Sequence, residues 1–191
     1  MFITREPSSE PSELEVQRLV SLARQGENEA QGALYALFVD RLFRGVRGLC
    51  RSEAEAEDIV QDTFIRAFER LDRYRPQAGA RFLGWLLTIA LNTARTRGTR
   101  SDRRLALNEQ SANEAPEHAP MPDEALLEFE MRSALIRALA ELPMRDREVL
   151  SLRYGAELEA DEVAALCGLT AANVRKICER QRRVLRERMK P

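Results

Sequence analysis

Ala160-Asp161-Glu162-Val163-Ala164-Ala165-Leu166-Cys167-Gly168-Leu169-Thr170-Ala171-Ala172-Asn173-Val174 carries the strongest local signal in the chain. A short apolar helix is expected to stop at Gly168, which can take the left-handed backbone that a sharp turn needs. Leu169 can plug the space between two crossing helices, and Thr170 can cap the next one. Ala164 is small where the helices must approach closely. Val163, Leu166, Leu169, Val174 and Ile177 supply the inner contacts. This is the geometry of a helix-turn-helix.

The second helix of that unit has two faces. By 3.6-residue periodicity Val174, Ile177, Cys178 and Leu185 point inward, while Asn173, Arg175, Lys176, Arg180 and Arg183 point outward. Arg and Asn make bidentate contacts to guanine and adenine edges, and the other cations suit phosphates. A basic C-terminal helix also suits its own dipole and by itself signals nothing more. Preceded by Gly168-Leu169-Thr170, it reads as a DNA-binding helix.

A net charge of −1 hides this, because the charge is segregated. Arg95–Arg104 holds five arginines and one acid (Asp102); Leu105–Glu130 holds seven acids and no Lys or Arg; Ala171–Pro191 is net +6. Local fields, not the sum, attract phosphate.

Outward from this unit the chain reads as helix after helix. Residues 1–12 are expected to form a loose tail. Helical patterns follow at about Ser12–Ala23 (Leu14, Leu19, Val20, Leu22, Ala23) and Glu29–Leu49 (Leu34, Leu37, Phe38, Leu42, Val46, Leu49). A third, to about Tyr74, starts from a capping box of Ser52 and Glu55, with Ile59, Val60, Phe64, Ala67, Phe68 and Leu71 as its stripe. A loop, Arg75–Gly79, leads to a fourth helix at about Ala80–Arg97, apolar first and then basic. Residues 105–122 carry acids, three prolines and the sole histidine, His118, and read as a flexible acidic linker. Helices resume at Asp123–Leu142, Arg145–Tyr154, Ala160–Cys167 and Thr170–Met189. The expected fold is all-α: two small helical domains, 13–104 and 123–191, joined by the linker.

Several classes are set aside. Three scattered cysteines (Cys50, Cys167, Cys178) and one histidine do not make a disulfide framework or a zinc site. Small buried thiols are the expected role of the cysteines, in a cytoplasmic protein. The longest uncharged run, Phe82–Ala94, has 13 residues, short of the roughly 20 that a membrane span requires. No nucleophile–base pair or Gly-rich phosphate loop points to an enzyme. No cofactor, metal, membrane contact or small-molecule substrate is expected.

Ala134–Met189, with Leu139-Ala140-Glu141-Leu142-Pro143, Arg147-Glu148-Val149-Leu150 and Arg153-Tyr154, resembles region 4 of bacterial RNA polymerase sigma factors. Ala56-Glu57-Asp58-Ile59-Val60-Gln61-Asp62-Thr63-Phe64 and Phe82-Leu83-Gly84-Trp85-Leu86, with Ile89-Ala90 and Asn92, resembles region 2. Regions one and three have no counterpart, which is similar to the compact extracytoplasmic-function (ECF) group. The resemblance implies that Asp58, Gln61, Asp62 and Phe64 dock on the β′ clamp of core RNA polymerase. It implies −10 DNA contacts by Tyr74, Gln77, Arg81, Asn92, Arg95, Arg100, Arg103 and Arg104, and −35 contacts by Thr170, Asn173, Arg175, Lys176, Glu179, Arg180 and Arg183. For Phe64, Phe68 and Trp85 the residues themselves favour core packing. The implied partners are core polymerase (β′ clamp and β flap), promoter DNA and an anti-sigma factor. The stretch Val174–Arg180 departs from the family's Lys-Ser-Arg pattern, and Gly155–Glu159 lacks its Ser-Tyr pair, so the −35 sequence is not inferable. Two alternatives stay open here: a regulator using only the helix-turn-helix, and a decoy that sequesters an anti-sigma factor. The acidic linker is a candidate for drawing the two basic faces together.

Overall fold

The computed structural model describes residues 11–76, 81–105 and 123–189, with side chains over 11–76, 81–97 and 130–189. Gln77, the side chains of Arg100, Arg103 and Arg104, and the segment 106–122 lie outside the described residues, as does His118. The described residues form α1 (Glu13–Arg24), α2 (Asn28–Arg47), α3 (Glu53–Glu69), a 3-10 turn (Leu71–Arg73) and α4 (Phe82–Leu105). After the linker come α5 (Asp123–Ala140), α6 (Met144–Leu150), a π turn (Ser151–Gly155), α7 (Ala160–Cys167) and α8 (Ala171–Arg188).

Caps set the helix starts. Ser12, Ser52 and Thr170 each accept a hydrogen bond from the backbone N–H three residues on, at 3.2, 3.1 and 3.2 Å. The reciprocal half of the box at Ser52 is displaced: Glu55 accepts from the Arg51 N–H at 2.8 Å, one residue before the cap. A full capping box joins Glu159 and Glu162 at the start of α7 and was not legible as one, because Glu159 is not among the usual cap residues.

The expected stripe of α1 is corrected in part. Leu14 is 80% exposed; Val16, Val20 and Ala23 face the core instead. Those three sit at i, i+4 and i+7, and Leu14 lies about 200° around the helix from Val16. The stripes of α2 and α3 bury as their spacing predicts, with Leu34, Leu42, Val46, Ile59, Val60 and Phe64 almost inaccessible. The third helix ends at Glu69 rather than near Tyr74, closed by the 3-10 turn; the Arg24 guanidinium donates to the Leu71 carbonyl at 3.2 Å and to that of Tyr74.

Helix α2 is the central pillar. It packs on α1, α3 and α4, and its other side meets the π turn of the C-terminal half. The single helix expected at Arg145–Tyr154 is α6 followed by that turn, in which the Ala156 N–H donates to the Ser151 carbonyl, five residues back, at 3.0 Å. The wider turn delivers Gly155 and Ala156 onto α2, and the apolar core continues across the seam. The domains are thus joined by direct packing as well as by the chain.

Gly168 has φ +63° and ψ +41°, and a Cβ built there would meet nothing within 4 Å. Its role is therefore conformational. Gly168→Ala is expected to lower unfolding free energy by about 1–2 kcal/mol, the cost of a side chain in the left-handed region, measured by urea denaturation.

Candidate nucleic-acid interface

Helix α8 carries the predicted face. Asn173, Arg175, Lys176, Glu179, Arg180 and Arg183 are exposed, Val174 and Cys178 are buried, and Ile177 and Leu185 are half-buried. Thr170 sits at the N-cap, exposed, with its hydroxyl already accepting from Asn173 N–H. The helix is anchored by a residue that periodicity did not single out. Asp146, 7% exposed on α6, accepts from the Arg180 guanidinium at 2.7 Å and from the buried Gln181 amide. Arg180 is thus tied to α6 as well as half-exposed, so it orients α8 besides offering charge.

The groove beside α8 is more basic than the sequence face suggested. Arg153 and Tyr154 of the π turn line it together with Arg182 and Arg186. The guanidinium carbons of Arg153 and Arg182 each lie 6.0 Å from the centroid of the Tyr154 ring. Only the bend of the turn brings them to α8, and no helical period could reveal it.

On the N-terminal half, α3 presents Asp58 and Gln61 exposed and Asp62 half-buried. Arg97 of α4 bridges both acids, at 2.5 Å to Asp62 and 3.6 Å to Asp58. Phe64 corrects the docking expectation: at 3% exposure it packs on Tyr35 and Phe68, with ring centroids 4.7 and 5.8 Å away, and supports the acidic face from beneath.

The residues expected at the −10 strand divide. Asn92 and Arg81 are exposed. Tyr74 is 2% exposed, in an aromatic cluster with Phe82 and Trp85, both at 5.2 Å, and its hydroxyl has no hydrogen-bond partner among the described residues. Packing on neighbouring rings buries Tyr74 at the point where the chain leaves the 3-10 turn. Trp85 is half-buried in the same cluster, in keeping with the core role favoured for it. Arg95 does not stand open to a phosphate. Its Nε and Nη2 donate to both carboxylate oxygens of Glu148 at 2.6 and 2.7 Å, and Glu148 is 4% exposed on α6.

Residues 34–104 match sigma-70 region 2 and residues 138–187 match sigma-70 region 4. Sigma factor CarQ of Myxococcus xanthus is 30% identical over 164 residues, covering 86% of this chain and 91% of that protein. The chain belongs to the sigma-70 family of RNA polymerase sigma factors. It is of the ECF type: the ECF sigma factor BldN of Streptomyces coelicolor is 29% identical over 95% of this chain and 68% of its own length. The solved structure of CnrH in complex with the cytosolic domain of CnrY superposes with a TM-score of 0.63 at 27% identity, covering 90% of this chain and 94% of that one. Sigma factors direct transcription initiation and are not enzymes, so the site of this sigma factor is a set of binding surfaces rather than a catalytic centre.

The cysteines fit that reading. Burial pushes the Cys50 thiol up to about 12 and Cys167 up to about 11, with further upward pressure from Glu55 and Glu148 respectively; burial also raises Cys178, against a hydrogen bond with Tyr154. A thiol raised this far is protonated and unreactive near neutrality. The folded sigma factor is expected to react slowly with Ellman's reagent at pH 8, and all three thiols to react at once in urea. Because the folded values exceed the unfolded ones, the stability linked to Cys50 is intact below about pH 9 and falls as pH rises toward 12. A fast native reaction of Cys50 would contradict the burial.

Proposed function

We propose a division of labour within this sigma factor. Residues 13–104 bind the β′ clamp of core polymerase and the melted −10 element, 123–191 bind the −35 element and the β flap, and 105–122 tether them. The work is cytoplasmic. The observation that carries the reading is the order of the two region matches combined with the exposed α8 face. Region 4 alone would suit an ordinary regulator; the region 2 match, with its acidic α3 and basic α4, does not serve one.

On α8, Arg175 and Asn173 are the base-reading candidates, with Glu179 positioned to accept from a cytosine amine, and Lys176, Arg180 and Arg183 matched to phosphates. On α3, Asp58, Gln61 and Asp62 form the polymerase-facing set, held in place by Arg97 rather than by Phe64 at the surface. For −10 DNA, Arg81, Asn92 and Arg95 are the candidates within the described side chains, with Gln77, Arg100, Arg103 and Arg104 beyond them. CnrH was solved with the cytosolic domain of CnrY, and we infer a comparable protein partner here, an anti-sigma factor that withholds this sigma factor from polymerase. No membrane-crossing helix occurs among the described residues.

Run-off transcription with purified core polymerase and a promoter library tests the reading. Initiation at a defined promoter class is expected, and no initiation above core alone would refute it. Two variants separate the surfaces. Arg175→Ala/Lys176→Ala is expected to weaken −35 duplex binding about tenfold or more, the loss of a base contact plus a phosphate contact, while sparing core binding. Asp58→Ala/Gln61→Ala is expected to weaken core binding about fivefold or more while sparing −35 binding, both read by fluorescence anisotropy.

A further inference from the structure

The two flanks of α8 are furnished differently. At about 100° per residue, Arg175, Arg182 and Arg186 fall within about 40° of one another, along the flank that shares a groove with the π turn. Arg180 lies about 140° round from Arg175, on the flank that faces α6, where the buried carboxylate of Asp146 pairs with it at 2.7 Å. The other flank has a ring in place of that carboxylate. Among the described residues Arg182 takes part in no ion pair, and its guanidinium carbon lies 6.0 Å from the centroid of the Tyr154 ring. A ring can hold a guanidinium without neutralising it.

Tyr154 is placed to do this. It is 49% exposed and shares a hydrogen bond with Cys178, which is buried in α8. Its neighbour Arg153 is already engaged, by the Leu158 carbonyl at 2.9 Å and by Glu159 at 3.7 Å. Arg182 and Arg186 are the exposed cations of this flank that the sequence reading did not assign. The groove measures about 830 Å³, and seven cationic side chains line it against two carboxylates, Glu159 and Glu179. Like charges gathered in this way repel one another and draw a polyanion.

We propose that the π-turn flank of α8 is a phosphate-binding edge. It seats one DNA backbone through Arg182 and Arg186, and Tyr154 is the positioning residue for Arg182. The inference rests on the reading of α8 as the duplex-binding helix. It adds affinity that is independent of sequence, from residues beside the base-reading face rather than on it.

A fluorescein-labelled duplex of random sequence is the probe, because it reports phosphate contacts without a preferred base sequence. In anisotropy titrations across a salt series, Arg182→Gln is expected to weaken binding about fivefold at low salt and to make the slope of log K against log salt shallower by about 0.9, the signature of one phosphate contact. Tyr154→Ala is expected to fall between wild type and Arg182→Gln. The double variant Tyr154→Ala/Arg182→Gln is expected to bind no more weakly than Arg182→Gln alone, because the ring acts through that arginine. Tyr154→Phe, which keeps the ring, is expected to bind like wild type. Both positions are exposed, so the variants should fold, and circular dichroism checks that they do. An unchanged salt slope in Arg182→Gln, wild-type binding by Tyr154→Ala, or additive losses in the double variant would overturn the proposal. So would poly-glutamate that binds as tightly as the duplex and loses as much in Arg182→Gln, since the edge would then suit an acidic peptide. Failure of the base-reading assignment shows separately, as an Arg175→Ala/Lys176→Ala protein that keeps its full preference for promoter duplex over the random one.

Discussion

The carbonyl oxygen of Arg44 sits where a side chain of residue 155 would have to be. A Cβ on Gly155 would fall 2.2 Å from that oxygen and 2.8 Å from its carbon, and no rotamer relieves a clash with backbone. Alongside, a Cβ on Gly45 would come to 3.0 Å from Ala156 Cβ, and one on Gly48 to 2.4 Å from Ser151 Oγ. The approach of α2 and the π turn is thus backbone against backbone, and the rest of the arrangement hangs on it. Helix α2 can serve α1, α3 and α4 on one side because its remaining side is smooth enough to take the turn. The turn has to be a π turn because the extra residue per turn swings Gly155, rather than a larger neighbour, onto that surface.

Charge is organised by the same seam. A chain with a net charge of −1 attracts DNA only if its acids are spent elsewhere, and three of them are spent across the domain boundary: Glu148 on Arg95, Glu157 on Arg44 and Glu162 near Arg81. These pairs are not equivalent. Arg44 and Glu157 are both about half-exposed, so their attraction is screened and small. Glu148 has a 5% exposed side chain and two short hydrogen bonds, so losing its partner would strand a buried carboxylate. The pair that matters most for the seam is the one whose arginine is also proposed for DNA.

What was legible in the chain depended on whether the information was local. The turn at Gly168 and the cap at Thr170 are settled by residues a few positions apart, and both formed as read. The stripes of α2 and α3 are periodic and buried accordingly. The phase of α1 was misjudged because Leu14 is apolar but lies before the buried series begins. Residues whose surroundings come from distant segments were harder. Tyr74, expected at the end of the third helix, is walled in by Phe82 and Trp85; Asp146 is the anchor of α8; Tyr154, expected at the end of a helix, lines the groove beside α8. The linker, a candidate for drawing the halves together, lies outside the described residues; among those residues the halves meet through α2, α4, α6, the π turn and α7.

The two surfaces proposed for DNA differ in how they are built and in when their ligands are present. The face of α8 is set by its own domain: Asp146 grips Arg180 and Gln181 from α6, and Val174 and Cys178 pack beneath. The ligand proposed for that face is an intact duplex, whose groove is present before polymerase acts. The ligand proposed for the −10 surface is unpaired bases, which exist only after strand opening. Arginines awaiting a strand that is not yet there are a concentration of uncompensated charge, open to any polyanion nearby. The Arg95–Glu148 pair offsets part of that charge while leaving the guanidinium partly open, because the Arg95 side chain is 43% exposed and only Glu148 is buried. The ligand of one proposed surface thus appears late, and that of the other is always present.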